Sequence, residues 1–539
     1  MLPKPLRFLH PYLHFTGLLL MIAGLPFSML LMSLSQFFVG GNWILEGNFG
    51  EKWQRFKSNK SAIALCSIFL MLLPPLLWSN DLNEALKLMR LNLPFLIFPF
   101  VLGSIKPLQP SWYKLLIRLF VLSVFLAVIT CASIGLPRWM NGELTDIRNI
   151  SLFISHIRFS LLIAFAILLI LWMLIKKPFK FLPYEKLFHS IMGLTLLSFL
   201  FILQSLNGII ILFVVGGIWL LIEIRKRFSL PATLAIYSLP VIVLGMSIFF
   251  AGKAWQNYFT PNEIYSKPLP KFTALNNPYE HSFGMIENGH YVDAFLCKDE
   301  VRSAWGSRSK LSVDSTDGKG HPVFTTLVRY LNSKGLTKDQ QGVLALSEKD
   351  VRYIENGTAN VNYTGLLGIR MRFYQLLYEL DFQKRGGTNA SGHSLMMKLE
   401  FWKNGLVLIK KHPVVGFGTG DVPSAFRDQY KETASWLTPQ WWMTSHNQFI
   451  YIAVATGIPG LILFLYLFFY PAIRSKAFKY LPFTLFFSIA FLSMFTEDML
   501  TTQAGVSFVA FFYAFFLFVR PLENDSASEK SGSSSEFAS

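Results

Sequence analysis

The sequence predicts an all-α polytopic membrane protein with about twelve transmembrane helices and one large helical loop domain on the extracytoplasmic side. Three observations carry this. Of its 539 residues, 52% are hydrophobic and 15% charged, whereas a soluble chain holds roughly 25% charged residues. The apolar residues gather into runs long enough to cross a hydrocarbon core of ~30 Å as helices. Lysine and arginine fall in short clusters between those runs, the arrangement that sets membrane topology. The same clustering argues against nucleic acid as a partner, because the net charge of +17 forms no continuous basic stripe.

Residues 14–46 are apolar around Pro26 and lie between two basic clusters, Lys4 and Arg7 before, then Lys52, Arg55, Lys57 and Lys60 after. Positive residues favour the cytoplasmic side, so this stretch is expected to cross twice as a tight helical pair. Its first helix is expected to be retained rather than cleaved as a signal peptide. By the same rule spans are expected near 61–78, 91–104, 116–134, 152–175, 188–204, 208–224, 231–251, 446–470, 481–497 and 505–519. That layout puts both termini in the cytoplasm. Its cytoplasmic segments hold 21 Lys and Arg, and its short outer ones only Lys87, Arg90, Arg138 and Arg148. The 52 Phe, 13 Trp and 19 Tyr suit lipid-facing surface and interfacial belts. Cys66 and Cys131 lie in apolar spans, and with Cys297 they suggest no disulfide framework and no thiolate metal site.

The chain so divides into a first transmembrane bundle at 1–251 with about nine spans, a loop domain at 252–445, C-terminal helices at 446–520 with about three spans, and a polar cytoplasmic tail at 521–539 expected to be disordered. Within the loop domain Thr337–Gln340 reads as a capping box, and Ser347 opens a helix with Asp350 at its third position. Leu395, Leu399, Trp402, Leu406 and Ile409 recur at helical spacing, so 394–411 is an amphipathic helix able to lie against the membrane or the bundle.

His446 and Asn447 open the apolar run that reaches Tyr470, within MTSHNQFIYIAVATGIPG. An imidazole at the mouth of a span can take or give a proton near neutral pH, or it can simply mark the interface. Arg158 stands near the outer end of its span, where a guanidinium must pair, line an aqueous cavity or snorkel. Its fork suits a phosphate, and Glu497 and Asp498 are the acids that could pair with it, orient a base or just end a helix at water. The run His412–Asp421 carries Gly416, Gly418 and Gly420, which could converge backbone N–H groups on an anion or make a tight turn with Asp421 as N-cap. It lacks the Gly-Lys-Ser/Thr ending of a nucleotide-binding loop. Arg370, Arg372, Arg385 and Lys398 are further cations of the loop domain, and the histidines show no metal-ligand spacing.

His446-Asn447 followed by Gly457 and Gly460, together with Trp402 and the Pro413-x-x-Gly416-x-Gly418-x-Gly420 segment, resembles the signature of bacterial O-antigen ligases and their polymerase relatives. The layout of twelve spans with one large outer loop resembles that family too. The resemblance implies a glycosyltransferase of the bacterial inner membrane that acts on the periplasmic face and needs no metal or other cofactor. The donor would be a glycan on undecaprenyl diphosphate, and the acceptor a lipid A-core or other hydroxyl. His446 matches the base, Arg158 an arginine of the diphosphate site, and Asn447, Gly457, Gly460, Trp402 and Asp421 supporting positions. Two positions depart from the family pattern: Lys398 stands where many relatives have arginine, and Asn207 where many have the arginine of Ser-Arg. Lys398 keeps the charge without the fork, and Arg372 or Arg370 could compensate. Polymerisation of repeat units, or transfer to a protein, fits the same residues. A lipid-linked sugar flippase would instead be expected to show polar broken helices at the midplane in repeated halves.

Overall fold

A computed structural model describes residues 8–521 apart from 142, 145, 179–181, 365–368 and 385–393; the side chains of 239–241, 243, 244, 369, 370, 372, 383 and 384 are likewise outside the described set. Lys4, Arg7, Lys180, Arg385 and the tail from 522 onward therefore lie outside the described residues.

The described residues are mostly helical, with almost no strand, and the chain divides into two units, one of residues 1–135, 148–218 and 391–539, the other of 136–147 and 219–390. Among the described residues seven helices are long and apolar enough to cross a membrane: Lys60–Trp78, Leu82–Leu102, Pro110–Met140, His156–Lys176, Pro183–Ile202, Leu206–Arg227 and Gln448–Arg474. Leu481–Ser493 and Gln503–Val519 are apolar but shorter.

In the first unit, His10–Phe27 and Met29–Glu46 form a hairpin broken at Ser28, whose hydroxyl accepts the N–H of Leu31. Asn42 locks the pair from inside by bonding both the ring and the carbonyl of His10. The most enclosed of those seven helices is His156–Lys176. Phe165 on it meets Phe120, Phe486, Phe508 and Phe512 at ring-centroid distances of 5.1 to 6.1 Å, edge to face with Phe508 and Phe512 and tilted with the other two. Edge contacts place the positive ring edge on a neighbour's negative face. Much of the phenylalanine expected on the lipid surface thus builds the interior of the bundle.

The second unit holds the long helix Leu230–Phe259 and a small domain with its own core around Trp305, Val323, Leu327, Tyr330 and Leu331. A two-stranded antiparallel ladder pairs Ile286 with Tyr291 and Glu287 with His290. Its turn is Asn288-Gly289, both at positive φ (57° and 77°), the residue pair that a tight two-residue hairpin favours. The capping box at Ser347 and Asp350 forms as expected. The one expected at Thr337 does not: the helix starts at Gln340, and Asp339 caps it by accepting the N–H of Gly342, while Thr337 donates its hydroxyl to Asp339. A carboxylate one residue from the helix start displaces the more distant hydroxyl as cap.

Candidate active site

The site grows from the start of the Gln448–Arg474 helix. Asn447 is its N-cap: Oδ1 accepts the N–H groups of Phe449 and Ile450 at 3.0 and 3.1 Å. The other face of the same amide donates from Nδ2 to the carbonyl of Phe495 at 2.9 Å. Gln448 repeats the link, its N–H donating to Met494 and its Oε1 accepting from Leu500. Thr444 donates to Asp498 at 2.8 Å. Residues 444–448 are therefore stitched to the turn that follows the Leu481–Ser493 helix, and that turn carries Glu497 and Asp498.

His446 sits inside this seam with φ +44°. A left-handed backbone costs a residue with a side chain roughly 1–2 kcal/mol, so the surrounding bonds must impose it. The ring lies 5.6 Å from Phe401. Nδ1 faces Glu497 Oε2 at 3.6 Å and Asp498 Oδ1 at 3.7 Å and is buried with no hydrogen bond of its own. Nε2 points the other way, 3.4 Å from the sulfur of Met443, and the side chain is 28% exposed.

Two cations reach the same glutamate, and one of them Asp498 as well. Arg158, in the first turn of His156–Lys176, places Nη1 3.3 Å from Glu497 Oε2 and Nη2 3.9 Å from Asp498 Oδ1. Its Nε is buried with no hydrogen-bond acceptor. Lys398, on Ser394–Lys411, donates to the carbonyl of Thr496 at 2.9 Å and lies 3.4 Å from Glu497 Oε1. Burial would push the Glu497 carboxyl up, but His446, Arg158 and Lys398 outweigh it and hold it below its usual range. Three groups far apart in sequence thus meet on one ionised, almost fully buried glutamate. Asn207 arrives as well: its Oδ1 accepts from the hydroxyl of Thr496 at 2.9 Å, and its Nδ2 is left without a partner.

The remaining sequence candidates fall elsewhere. Arg372 is on the Ile369–Lys384 helix of the other unit, and its side chain is outside the described residues. Trp402 packs into the cluster of Phe401, Phe426, Tyr430 and Tyr451, with its indole N–H unpartnered. The helix 394–411 forms as expected. However, Met397, Phe401 and Leu408 meet the bundle, while Leu395, Leu399 and Leu406 are exposed.

The glycine run does not make an anion-binding loop. The N–H groups of Phe417 and Gly418 donate to the carbonyls of Val454 and Ala455, and that of Gly420 to the hydroxyl of Ser79. Those carbonyls are free because the long helix breaks at Gly457 (φ 73°, ψ 179°), whose own neighbour Ile458 donates to Pro413. A Cβ on Gly457 would stand 2.2 Å from the carbonyl oxygen of Val414, so only glycine permits the break. One on Gly460 would strike the hydroxyl of Thr456 at 2.0 Å. Asp421 is at the N-cap position but makes no cap bond with its side chain. Its carboxylate instead accepts the N–H groups of Asn80 and Asp81 at 2.7 and 2.8 Å, where the Leu82–Asn92 helix begins. These residues build a clasp between the loop and the broken helix, and the clasp fixes where that helix starts.

The histidines show no metal spacing along the chain, yet folding brings ligand atoms of His446, Glu497 and Asp498 within 4.8 Å of one another. A cation there would have to compete with Arg158 and Lys398, which already lie on these carboxylates. The carbonyl and hydroxyl of Thr496 carried no signal in the sequence.

Residues 351–465 match the family model described as O-antigen ligase, which relates the chain to that family. The matched segment takes in Arg372, Lys398, Trp402, the glycine run and His446 to Gly460, while Arg158, Glu497 and Asp498 lie outside it. No curated protein matches the chain.

Proposed function

From the O-antigen ligase match over residues 351–465, we propose that the chain is a multi-pass membrane glycosyltransferase that moves a glycan from a lipid diphosphate to a hydroxyl acceptor. The donor is undecaprenyl-diphosphate-linked and the acceptor a lipid A-core sugar. The chain crosses the bacterial inner membrane about twelve times, with both termini in the cytoplasm and the site on the periplasmic face. The observation that carries this reading is the meeting of His446, Arg158 and Lys398 on Glu497.

The carboxylates of Glu497 and Asp498 beside Nδ1 favour the tautomer with its proton there, which leaves Nε2 as the acceptor. Nε2 takes the proton of the acceptor hydroxyl while its oxygen attacks the anomeric carbon. The bond from that carbon to the diphosphate oxygen breaks with inversion. Arg158 and Lys398 take the charge that gathers on the departing diphosphate. The imidazolium formed is stabilised by Glu497 and Asp498 until its proton is lost to water. Positioned base catalysis is worth about 10²–10⁴-fold, and each preorganised donor to a developing anion about 10²–10³-fold. The cations are the protein's own, so the step needs no metal. Lys398 and Phe401 hang from the 394–411 helix, whose exposed leucine row is suited to lipid, so a lipid-linked donor would enter beneath it.

The test is His446→Ala in a cell lacking the native gene, read on lipopolysaccharide gels with the membrane level of the protein measured in parallel. Loss of long-chain glycan with lipid-linked polymer accumulating, at normal protein level, is the expected result. Normal long-chain glycan would reject the base assignment. A single capped repeat on deletion of the whole gene would indicate polymerisation in place of ligation.

A further inference from the structure

The second unit holds an open cavity of about 510 Å³ lined by Pro261, Asn262, Tyr265, Ser266, Phe283 and Tyr291. This volume falls within the range of sites for small organic ligands, about 300–1,000 Å³. The lining contains no charged side chain, so it offers little to a phosphate, a metal ion or an acidic peptide. Neither is it a lipid groove, because it mixes three aromatic rings with an amide and hydroxyls.

The rings are fixed. Tyr291 stands at nearly right angles to Tyr265 (86°, centroids 4.9 Å apart) and to Phe283 (83°, 5.0 Å). The Tyr265 hydroxyl accepts the N–H of Tyr291, which pins one ring to the hairpin. Phe283 is 56% exposed, so part of its ring is open to a ligand in the cavity. Asn262 spends Oδ1 on the N–H of Ile264, while its Nδ2, the Tyr291 hydroxyl and the Ser266 hydroxyl make no hydrogen bond among the described residues. A pyranose ring has an apolar C–H face and a rim of hydroxyls. Such a ring fits a corner of aromatic faces bordered by free neutral donors and acceptors.

We infer that this cavity is a carbohydrate-binding subsite that takes an uncharged sugar residue of a glycan chain. The identity of that chain as the glycan being transferred rests on the proposed function. Recognition of the sugar itself rests on the cavity alone.

The experiment uses the full-length protein in nanodiscs and, as probe, the free oligosaccharide released by mild acid from the host's lipid-diphosphate-linked glycan. Without diphosphate and lipid, the probe has no handle for the Arg158 and Lys398 site. Saturation-transfer NMR should show contact at the sugar ring protons, and titration should show affinity weakened about 3- to 10-fold by Phe283→Ala. Asn262→Asp keeps the oxygen that bonds Ile264 but removes the free donor, and should weaken binding too. Phe272→Ala, another exposed ring of this unit that does not line the cavity, should leave binding unchanged. Absence of contact in the wild type, or equal affinity in the Phe283 and Asn262 variants, overturns the inference. Binding to the cavity with no transfer activity would instead overturn the proposed function and leave the subsite standing.

Discussion

Glu287 and Glu497 are both buried glutamates facing an arginine, and they are housed in opposite ways. Glu287 is closed. Arg329 grips it with Nε and Nη2 at 2.9 and 3.0 Å, Asn360 donates to it at 2.9 Å, and Tyr378 covers the guanidinium at 4.2 Å. Glu497 has more charged neighbours but poorer contacts, at 3.3, 3.4 and 3.6 Å from Arg158, Lys398 and His446. Arg158 Nε and His446 Nδ1 are left without partners. A satisfied pair in the interior serves the fold, because each donor has found its acceptor. A crowded but slack cluster keeps binding capacity in reserve for something that arrives later. The lesson is to compare the quality of the contacts, and not the number of charges.

Breaking each glutamate should separate the two roles. Glu287→Gln should cost the most stability, about 3–5 kcal/mol, since it strands a buried guanidinium. Thermal unfolding of the purified protein should fall accordingly, with any loss of activity following from loss of protein. Glu497→Gln should lower the melting temperature less, yet reduce glycan transfer per folded molecule about 10²-fold. The reverse ranking would mean that Glu497 is the structural member of the pair. Next in size, Arg158→Lys removes the fork while keeping the charge, and should slow transfer about 10- to 100-fold; Arg90→Lys, on an exposed arginine, is the control and should be neutral. The smallest effect is expected from Lys398→Arg, within a few-fold of wild type, because the lysine holds the Thr496 carbonyl and Glu497 by one donor each and the longer fork can keep both. A large loss there would show that the cluster is tighter than its distances suggest.

Much of the fold was legible because hydrophobic runs dictate where helices lie: a helix occupies each of the expected spans, from the hairpin broken at Ser28 to Gln503–Val519. His446 and Arg158 were legible for a related reason, since a titratable or charged side chain at the rim of an apolar run is costly without a purpose. What the sequence hid is mostly pairing across distance. Asp421 looked like the cap of its own helix, but it caps the chain at Asn80 and Asp81, 340 residues earlier. Three alternating glycines signal close backbone approach, but not whether an anion or a broken helix does the approaching. The ladder at Ile286–Tyr291 was detectable from Asn288-Gly289 alone, and strands of two residues leave no periodicity to read. Trp402 and Leu395 share a helical stripe, yet one packs inward and the other faces out, because spacing defines a face and not its neighbour.

The most direct measurement is a double-mutant cycle on glycan transfer with His446→Ala, Glu497→Gln and the two combined, each normalised to folded protein in the membrane. If base and cations work as one unit through Glu497, the combined loss should fall at least tenfold short of the product of the single losses. Losses that simply multiply would mean that His446 and Glu497 act independently, and the site described here would not be one site.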